Sequence, residues 1–301
     1  MPLLVTGSIG IDTVKTPYGV REDCLGGSAV YFSMTAGFFS SVRLIGVIGS
    51  DCPFDLAKTF AGRNIDLTGL EVRQESKTFR WKGSYYSTMN EAITDKVELN
   101  VLAEAPPRVP DEYKDSRFVF LANTMPALQQ QLLEQVDEPY FVAADTMNFY
   151  IHGYRLDLEA LLRKINCLII NEDEARMLAS ESNLVKAGEK ILEMGPGVVI
   201  IKKGESGSIM CNRDGQKFIL PGFPASEVKD PTGAGDSFAG GIMGYLAEVD
   251  KVDFDSLKTA VAYGTVAASF TIADFSLEGL NCVTRADLDS RLEILREVTR
   301  F

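Results

Sequence analysis

The 301-residue sequence predicts a single α/β domain with a largely parallel central sheet, helices on both faces and a small β lid. The first observation is that short apolar runs alternate with amphipathic stretches along most of the chain, which is typical of βα units. The second is that the stretch 68–104 breaks this alternation and has strand-like segments without a clear helix. The third is the composition, since 46% hydrophobic and 24% charged residues are typical of globular proteins.

The predicted elements follow in order along the chain. Apolar runs predict strands of the main sheet at 3–7, 42–49, 118–122, 140–144, 167–171 and 198–202. Helical spacing of apolar residues predicts helices at 28–39, 53–63, 127–136, 156–164, 184–194, 234–247, 255–270 and 285–295. The segments 208–211 and 217–220 predict a hairpin, because Asp214 and Gly215 between them suit a tight turn. We expect one domain that spans residues 1–301.

Two inserted segments, at about 13–25 and 68–104, are expected to form the lid. Strand-like stretches lie at 19–25, 78–86 and 96–102, and the second of them carries several aromatic residues, Phe79, Trp81, Tyr85 and Tyr86. An aromatic face needs a cover. We therefore expect a lid that closes over a ligand, with or without pairing to a second subunit. The simpler alternative is an antiparallel extension that only completes the fold.

Composition and charge exclude several classes of function. With 30 basic and 42 acidic residues the net charge is −12, which disfavours a nucleic-acid partner. A single histidine, His152, excludes a His-rich zinc site. The five scattered cysteines include no CxxC pair and indicate buried thiols of a reducing compartment, so we expect the cytoplasm. No signal peptide is expected, because the first residues have neither a basic region nor a long apolar core. No membrane partner is expected, because no run of about eighteen apolar residues occurs.

The most informative motif is the stretch 230–238, D-P-T-G-A-G-D-S-F, directly before an apolar helix. Gly233, Ala234 and Gly235 have no side chain that would block a phosphate at the helix N-terminus. Asp236 then lies in the first turn, where the helix dipole keeps a carboxylate ionised and ready to take a proton from a hydroxyl. An ordinary capping box fits less well, because it needs Glu or Gln where Gly235 stands.

Two other phosphate-binding patterns are not supported. No GxxxxGK[ST] occurs, so the sequence does not predict a P-loop. The GxGxxG pattern fails because Phe238 occupies the place of its third glycine. A nucleotide-dependent oxidoreductase on a Rossmann sheet therefore stays a remote alternative.

The stretch 230–238 resembles the second signature of the ribokinase-like (PfkB) carbohydrate kinases, which include adenosine kinase and bacterial nucleoside kinases. Four further motifs resemble those of the family and follow in its order: 7–12, a first strand that ends in an Asp; 26–29, a pair of glycines; 171–174, an NxxE motif; and 202–207, a nucleotide loop. The resemblance covers essentially the whole chain. It implies a ribokinase-like three-layer α/β/α domain with a mostly parallel central sheet and a small β lid.

The resemblance implies roles on the donor side of the reaction. Asp236 would be the general base, and Gly233, Ala234 and Gly235 would form the anion hole for the transferring phosphoryl group. Nucleotide-binding residues would be Lys202, Lys203, Gly204, Glu205, Ser206, Gly207 and Asn171. Glu174 would orient Mg²⁺ through water, and Asp230 and Thr232 would lie near a monovalent cation such as K⁺. Alternatives stay open: Asn171 and Glu174 also suit a helix cap, and 202–207 also suits a β-turn.

On the acceptor side, the resemblance implies that Asp12 accepts hydrogen bonds from two adjacent hydroxyls, although an Asp after a strand also forms turns. The other implied substrate-binding residues are Gly26, Gly27, Ser28, Tyr31 and Asn123. The sequence departs from many sugar kinases of the family at two places, since Gly10 and Tyr31 stand where those have Asn. Tyr31 and the lid aromatics would then stack on a base or a sugar face.

These observations predict an ATP-dependent, Mg²⁺-requiring kinase that phosphorylates a hydroxyl of a sugar or sugar derivative. A nucleoside kinase of the same family is the main alternative, and a non-catalytic regulator that binds nucleotide or sugar is a weaker one. A homodimer through the lid is expected from the family resemblance alone.

Overall fold

The computed structural model describes residues 1–86, 89–90 and 92–300. Its strands are β1 Leu3–Thr6, β2 Gly10–Thr16, β3 Gly19–Gly26, β4 Val42–Gly49, β5 Ile65–Arg73, β6 Phe79–Tyr85, β7 Ala92–Glu98, β8 Phe118–Leu121, β9 Phe141–Ala144, β10 Cys167–Asn171, β11 Val198–Lys202, β12 Ser208–Asn212 and β13 Lys217–Leu220. The helices are α1 Ser28–Ala36, α2 Leu56–Thr59, α3 Pro126–Leu133, α4 Asn148–Gly153, α5 Arg155–Leu162, α6 Glu172–Ala179, α7 Leu184–Met194, α8 Ala234–Val249, α9 Phe254–Thr271, α10 Glu278–Asn281 and α11 Arg285–Val298.

Nine of these strands form the main sheet, in the order β13-β12-β11-β10-β9-β8-β1-β4-β5. The strands pair in parallel from β5 to β11, and the hairpin β12–β13 adds the antiparallel edge. One face packs on α1, α8, α9 and α11, and the other packs on α3, α5, α6 and α7. The structure thus has helices on both faces of a mostly parallel sheet, and the predicted α/β fold is confirmed.

The lid is a separate four-stranded sheet in the order β3-β2-β6-β7. Its first strand, β2, begins only a few residues after the carboxyl end of β1, so the lid rises from that edge of the main sheet. Strand β2 pairs in parallel with β6, and the outer pairs are antiparallel. Residues Ser87, Thr88 and Glu91 of the expected segment 68–104 lie outside the described residues.

Several boundaries differ from the predicted ones. The expected lid segment starts at about residue 68, but β5 pairs in parallel with β4 and is the edge strand of the main sheet. Its side chains Leu67 and Leu70 pack against the core, which holds the strand there. The helix expected at 53–63 is only the short α2. It starts after Asp55, whose side chain caps it by accepting from the backbone N–H of Lys58 at 3.0 Å.

Other differences are smaller. Helices α4 and α10 were not predicted, and α6 was anticipated only as the helix cap at Asn171. The strand expected at 96–102 ends at Glu98, and a 3₁₀ helix, Asn100–Ala103, follows after one residue. Among the expected buried thiols, Cys167 and Cys211 are buried but Cys282 is exposed. None of the described helices combines the length and apolarity needed to cross a bilayer.

Candidate active site

The predicted site residues gather at the carboxyl edge of the main sheet, below the lid. Asn123 follows β8, Asn171 ends β10 and Lys202 ends β11, and the helix α8 begins at the same edge with Gly233 as its N-cap. Ligands of open α/β sheets bind outside the carboxyl ends of the strands. The topology therefore brings together residues that are far apart in the sequence.

A cleft of about 240 Å³ lies between the lid and this edge. It is lined by Ser8, Asp12, Gly27, Ser28, Tyr31, Phe79, Trp81, Tyr85, Asn123, Thr232, Gly233 and Asp236. Most of the expected acceptor residues thus share one cleft with the expected base. Gly26 does not line it, but lies directly behind Asp12: a Cβ on Gly26 would lie 1.9 Å from Oδ2 of Asp12.

The glycine-rich turn before α8 is shaped by its backbone. Gly233 has a φ of +76°, which favours glycine, and a Cβ there would lie 2.3 Å from Cγ of Tyr31. The Tyr31 ring therefore supports this turn from below and is itself buried. The N–H of Ala234 donates to the carbonyl of Pro231 at 3.1 Å. The next N–H groups at the start of α8 are accessible to an anion, because Gly233 and Gly235 carry no side chain.

Asp236 lies in the first turn of α8 and lines the cleft. Burial raises the pKa of Asp236 to about 6, while the charge of Lys202 and a backbone hydrogen bond act in the opposite direction. Its carboxylate is therefore mostly ionised at neutral pH. A base with a pKa near the working pH is suited to accept a proton from a hydroxyl.

Asp12 lies on β2, next to Trp81 of β6 in register. Its side chain is 5% exposed, and among the described residues Oδ1 has no hydrogen-bond partner. Burial, with repulsion from Asp230 and Asp236, raises the pKa of Asp12 to about 7. A buried carboxylate oxygen without a partner is the acceptor that a hydroxyl group of a ligand would satisfy.

The junction between β3 and α1 needs glycine. Gly27 has a φ of +102°, and a Cβ there would lie 2.4 Å from the carbonyl oxygen of Ser8. The backbone N–H of Ser28 donates to Oγ of Ser8 at 2.9 Å, and the N–H of Ser8 donates to Oγ of Ser28 at 3.1 Å. The loop-to-helix junction considered above is therefore present, and it also lines the cleft.

The residues expected near a monovalent cation hold the turn before α8. Asp230 is buried, and its two oxygens accept from the backbone N–H of Thr232 at 2.9 Å and from that of Ser276 at 3.2 Å. The hydroxyl of Thr232 donates to the Tyr85 hydroxyl of the lid at 3.2 Å. These contacts connect the turn before α8 to the lid.

The expected nucleotide residues form two compact motifs. Asn171 accepts from the N–H of Glu174, and Glu174 accepts from the N–H of Asn171, both at 2.8 Å, so the helix cap considered above is present. The loop after β11 is a tight 3₁₀ turn, in which the N–H of Lys203 donates to the carbonyl of Gly207 at 2.7 Å. The expected β-turn geometry is thus also present.

One carboxylate at this edge was missed by the sequence analysis. Asp145 directly follows β9, is 6% exposed, and its Oδ1 has no partner among the described residues. Burial and the neighbouring Asp236 raise its pKa well above the usual range. Its signal was available, because a polar residue after a wholly buried strand is the pattern that also marked Asn123.

The lid presents aromatic rings to the cleft and charges to the other side. A Cβ on Gly83 would lie 2.1 Å from the Trp81 ring, so the indole lies flat on that glycine. Arg80 and Lys82 alternate with Trp81 along β6 and therefore point away from the cleft. Arg80 pairs with Asp23 at 3.0 Å. The lid cations thus do not line the acceptor cleft.

Comparison with known proteins gives a consistent family. The sequence profile described as the pfkB family of carbohydrate kinases matches residues 29–279. The cytidine kinase of Thermococcus kodakarensis is 28% identical over 250 residues, which are 81% of this chain and 87% of that protein. The nucleoside kinase of Methanothermobacter thermautotrophicus is 32% identical over 166 residues, 54% of this chain and 50% of that protein.

Solved structures share the fold at low identity. The nucleoside kinase of Burkholderia thailandensis in complex with inosine superposes with a TM-score of 0.79 at 19% identity, covering 97% of this chain and 98% of that chain. The ribokinase of Arabidopsis thaliana complexed with ribose and ATP gives a TM-score of 0.78 at 19% identity, with the same coverage. The ribokinase-like fold expected from the sequence is confirmed.

Proposed function

The chain belongs to the pfkB family of carbohydrate kinases and is a phosphotransferase with an alcohol group as acceptor; from this premise we propose that it phosphorylates the primary hydroxyl of a nucleoside, with ATP as the donor. The observation that carries the proposal is the cleft, in which the lid rings Phe79, Trp81 and Tyr85 lie near the carboxylates of Asp12 and Asp236. The ring of Tyr31 is buried beneath Gly233, so the stacking expected of it falls to the lid rings. A nucleoside offers an aromatic base to such rings and a hydroxylated ribose to the carboxylates. A free sugar offers hydroxyl groups to the carboxylates but no aromatic base to the rings.

In the proposed mechanism, Asp12 accepts hydrogen bonds from two ribose hydroxyls and so positions the acceptor. Asp236 takes the proton of the primary hydroxyl while the oxygen of that hydroxyl forms a bond to the γ-phosphorus. The bond between this phosphorus and the β–γ bridging oxygen breaks, which releases ADP. The N–H groups of the turn Gly233-Ala234-Gly235 hold the transferring phosphoryl group. Phosphoryl transfer depends mainly on such positioning and charge stabilisation.

The carboxylates at the sheet edge fit a magnesium ion. Glu174 and Asp145 are both buried, and Asp145 has an oxygen without a protein partner among the described residues. No cluster of three or more ligating side chains occurs in the described part of the chain. Mg²⁺ commonly uses one or two carboxylates with water and substrate phosphates. When bound with ATP, the ion would neutralise charge on the phosphates, and K⁺ would lie near Asp230 and Thr232.

Two further proposals concern the surroundings of the enzyme. Three apolar side chains on lid strands, Val20, Ile93 and Val97, are exposed, which supports a homodimer that pairs through the lid. The dimer is tested by measuring the mass in solution of the wild-type protein and of Ile93→Lys. The dimer predicts twice the chain mass for the wild type and the single chain mass for the variant.

The five cysteines are free thiols, which supports the expected cytoplasmic location.

The test of the function is ADP release from purified protein with ATP and Mg²⁺ across pyrimidine and purine nucleosides, ribose, fructose and sugar phosphates. We expect turnover on nucleosides, and about 10²–10⁴-fold lower kcat for Asp236→Asn with unchanged ATP affinity. Turnover on free sugars alone contradicts the nucleoside proposal. Ligand binding without ADP release favours the regulator.

A further inference from the structure

Lys202 stands out at the anion-binding turn, although the sequence placed it only in the loop that lines the nucleotide. It is the last residue of β11. Side chains on a strand alternate between faces, so Lys202 lies on the same face as Ile200. Ile200 belongs to the core that includes Phe238 of α8. The strand therefore directs Lys202 toward the start of α8.

The ammonium group reaches the turn itself. Nζ of Lys202 lies 2.8 Å from the position that a Cβ on Gly235 would occupy. Gly235 is the residue directly before Asp236, and its missing side chain leaves the space that Nζ uses. Any larger residue at 235 would displace the ammonium group from the place where the phosphoryl group is proposed to bind.

The surroundings of Lys202 carry three carboxyl groups but no ion pair. Its charge lowers the pKa of Asp236, Asp145 and Glu174 against the effect of their burial. Within residues 1–86, 89–90 and 92–300, no carboxylate oxygen lies within 4.0 Å of its Nζ. An ammonium group close to three acids, yet bonded to none, keeps its hydrogen-bond donors for another anion.

We propose that Lys202 is a catalytic residue that binds the transferring γ-phosphoryl group and stabilises its charge in the transition state. The turn alone supplies neutral N–H groups, and the neighbouring carboxylates repel a phosphoryl group. A cation above Gly235 offsets this repulsion where the new bond to the acceptor forms. The inference rests on the proposed kinase activity and gives Lys202 a role beyond lining the nucleotide.

The first measurement is turnover with nucleoside and ATP. Lys202→Met keeps the length of the side chain and removes its charge, and we expect kcat to fall about 10²–10³-fold. Lys217→Met is the control, since Lys217 lies on the edge strand β13 and pairs with Glu189 of α7. Its loss changes the net charge equally. A kcat of Lys202→Met equal to that of the control overturns the proposal.

The second measurement is binding, which separates this role from a structural one. We expect Lys202→Met to bind ADP as the wild type does, and to bind the β,γ-imido analogue of ATP about tenfold more weakly. Equal weakening of both nucleotides would show that Lys202 only lines the nucleotide site. This contrast needs no acceptor, so it can still be read if no nucleoside is phosphorylated.

The third measurement is chemical rescue. Ethylammonium added to Lys202→Ala is expected to restore part of kcat in a saturable manner, whereas it leaves Asp236→Asn inactive. If Lys202→Met does not fold, Lys202→Gln repeats the binding contrast with a polar head group. Absence of rescue together with unchanged binding of the imido analogue contradicts the proposal.

Discussion

Replacing Asp12 by Asn is expected to stabilise the ligand-free protein at alkaline pH. Burial and the repulsion from Asp230 and Asp236 raise the pKa of Asp12 from 3.8 to about 7. Because the folded value lies above the unfolded one, the native state binds more protons in this range. The free energy of unfolding therefore falls as pH rises from about 4 to about 7. Asn lacks this titration, so the variant avoids the loss.

The magnitude follows from the shift. The difference between about 7 and 3.8 is about 3 units, and each unit corresponds to about 1.4 kcal/mol. The advantage of Asp12→Asn is therefore at most about 4 kcal/mol at pH 8. At pH 5 only the part between 3.8 and 5 counts, which is under about 2 kcal/mol. The advantage should grow by roughly 2–3 kcal/mol between pH 5 and pH 8, and most of this growth should occur below pH 7.

Urea unfolding of the ligand-free protein at several pH values measures this difference. Asp137→Asn, at an exposed carboxylate, is the charge-matched control. Asp12→Asn should also raise the KM for the acceptor, because one oxygen that is proposed to accept from ribose hydroxyls becomes an amide donor. A stability difference that does not change between pH 5 and pH 8 would refute the electrostatic reasoning, even if acceptor binding were lost.

Two further substitutions test the cleft. Gly233→Ala places a Cβ 2.3 Å from the Tyr31 ring at a φ of +76°, so kcat should fall about 10²-fold as the turn shifts. Gly153→Ala is the control, because the space around its Cβ is open. Equal activity of the two variants would argue against a rigid turn. Trp81→Ala should raise KM for nucleosides about tenfold, measured by ADP release. An unchanged KM would remove Trp81 from the base-binding wall.

The sequence predicted the main sheet well, because strands buried on both faces are continuous apolar runs. It failed at β5, whose burial alternates along the strand. An edge strand that is exposed on one side has the same pattern as a strand of the lid. Only the long-range pairing of β5 with β4 distinguishes them, and local sequence does not contain this information.

The sequence predicted those residues of the candidate site that belong to a motif, and it missed residues that join the cleft edge through their position alone. The turn at 230–238 is recognisable because two glycines and an Asp carry its chemistry in adjacent positions. Asp145 belongs to no motif; it joins the site because β9 ends beside the start of α8, on the face that Phe141 and Ala143 share with the core. Lys202 was assigned to the nucleotide loop, but its distance to Gly235 depends on how β11 packs against α8.

The electrostatics of the cleft explain why these particular side chains are needed. The chain carries a net charge of −12, and burial raises the pKa of Asp12, Asp145 and Asp236 at the same edge. A field of this sign repels a nucleotide, so the proposed donor needs local positive groups, and the candidates are the N-terminus of α8 and the ammonium of Lys202. Among the described residues, one oxygen of Asp12 and one of Asp145 lack a hydrogen-bond partner, and the proposed hydroxyl groups and metal ion would supply one. If the proposed ligands bind there, the free energy lost by burying these acids in the ligand-free protein is recovered, and stability should rise in the presence of both substrates.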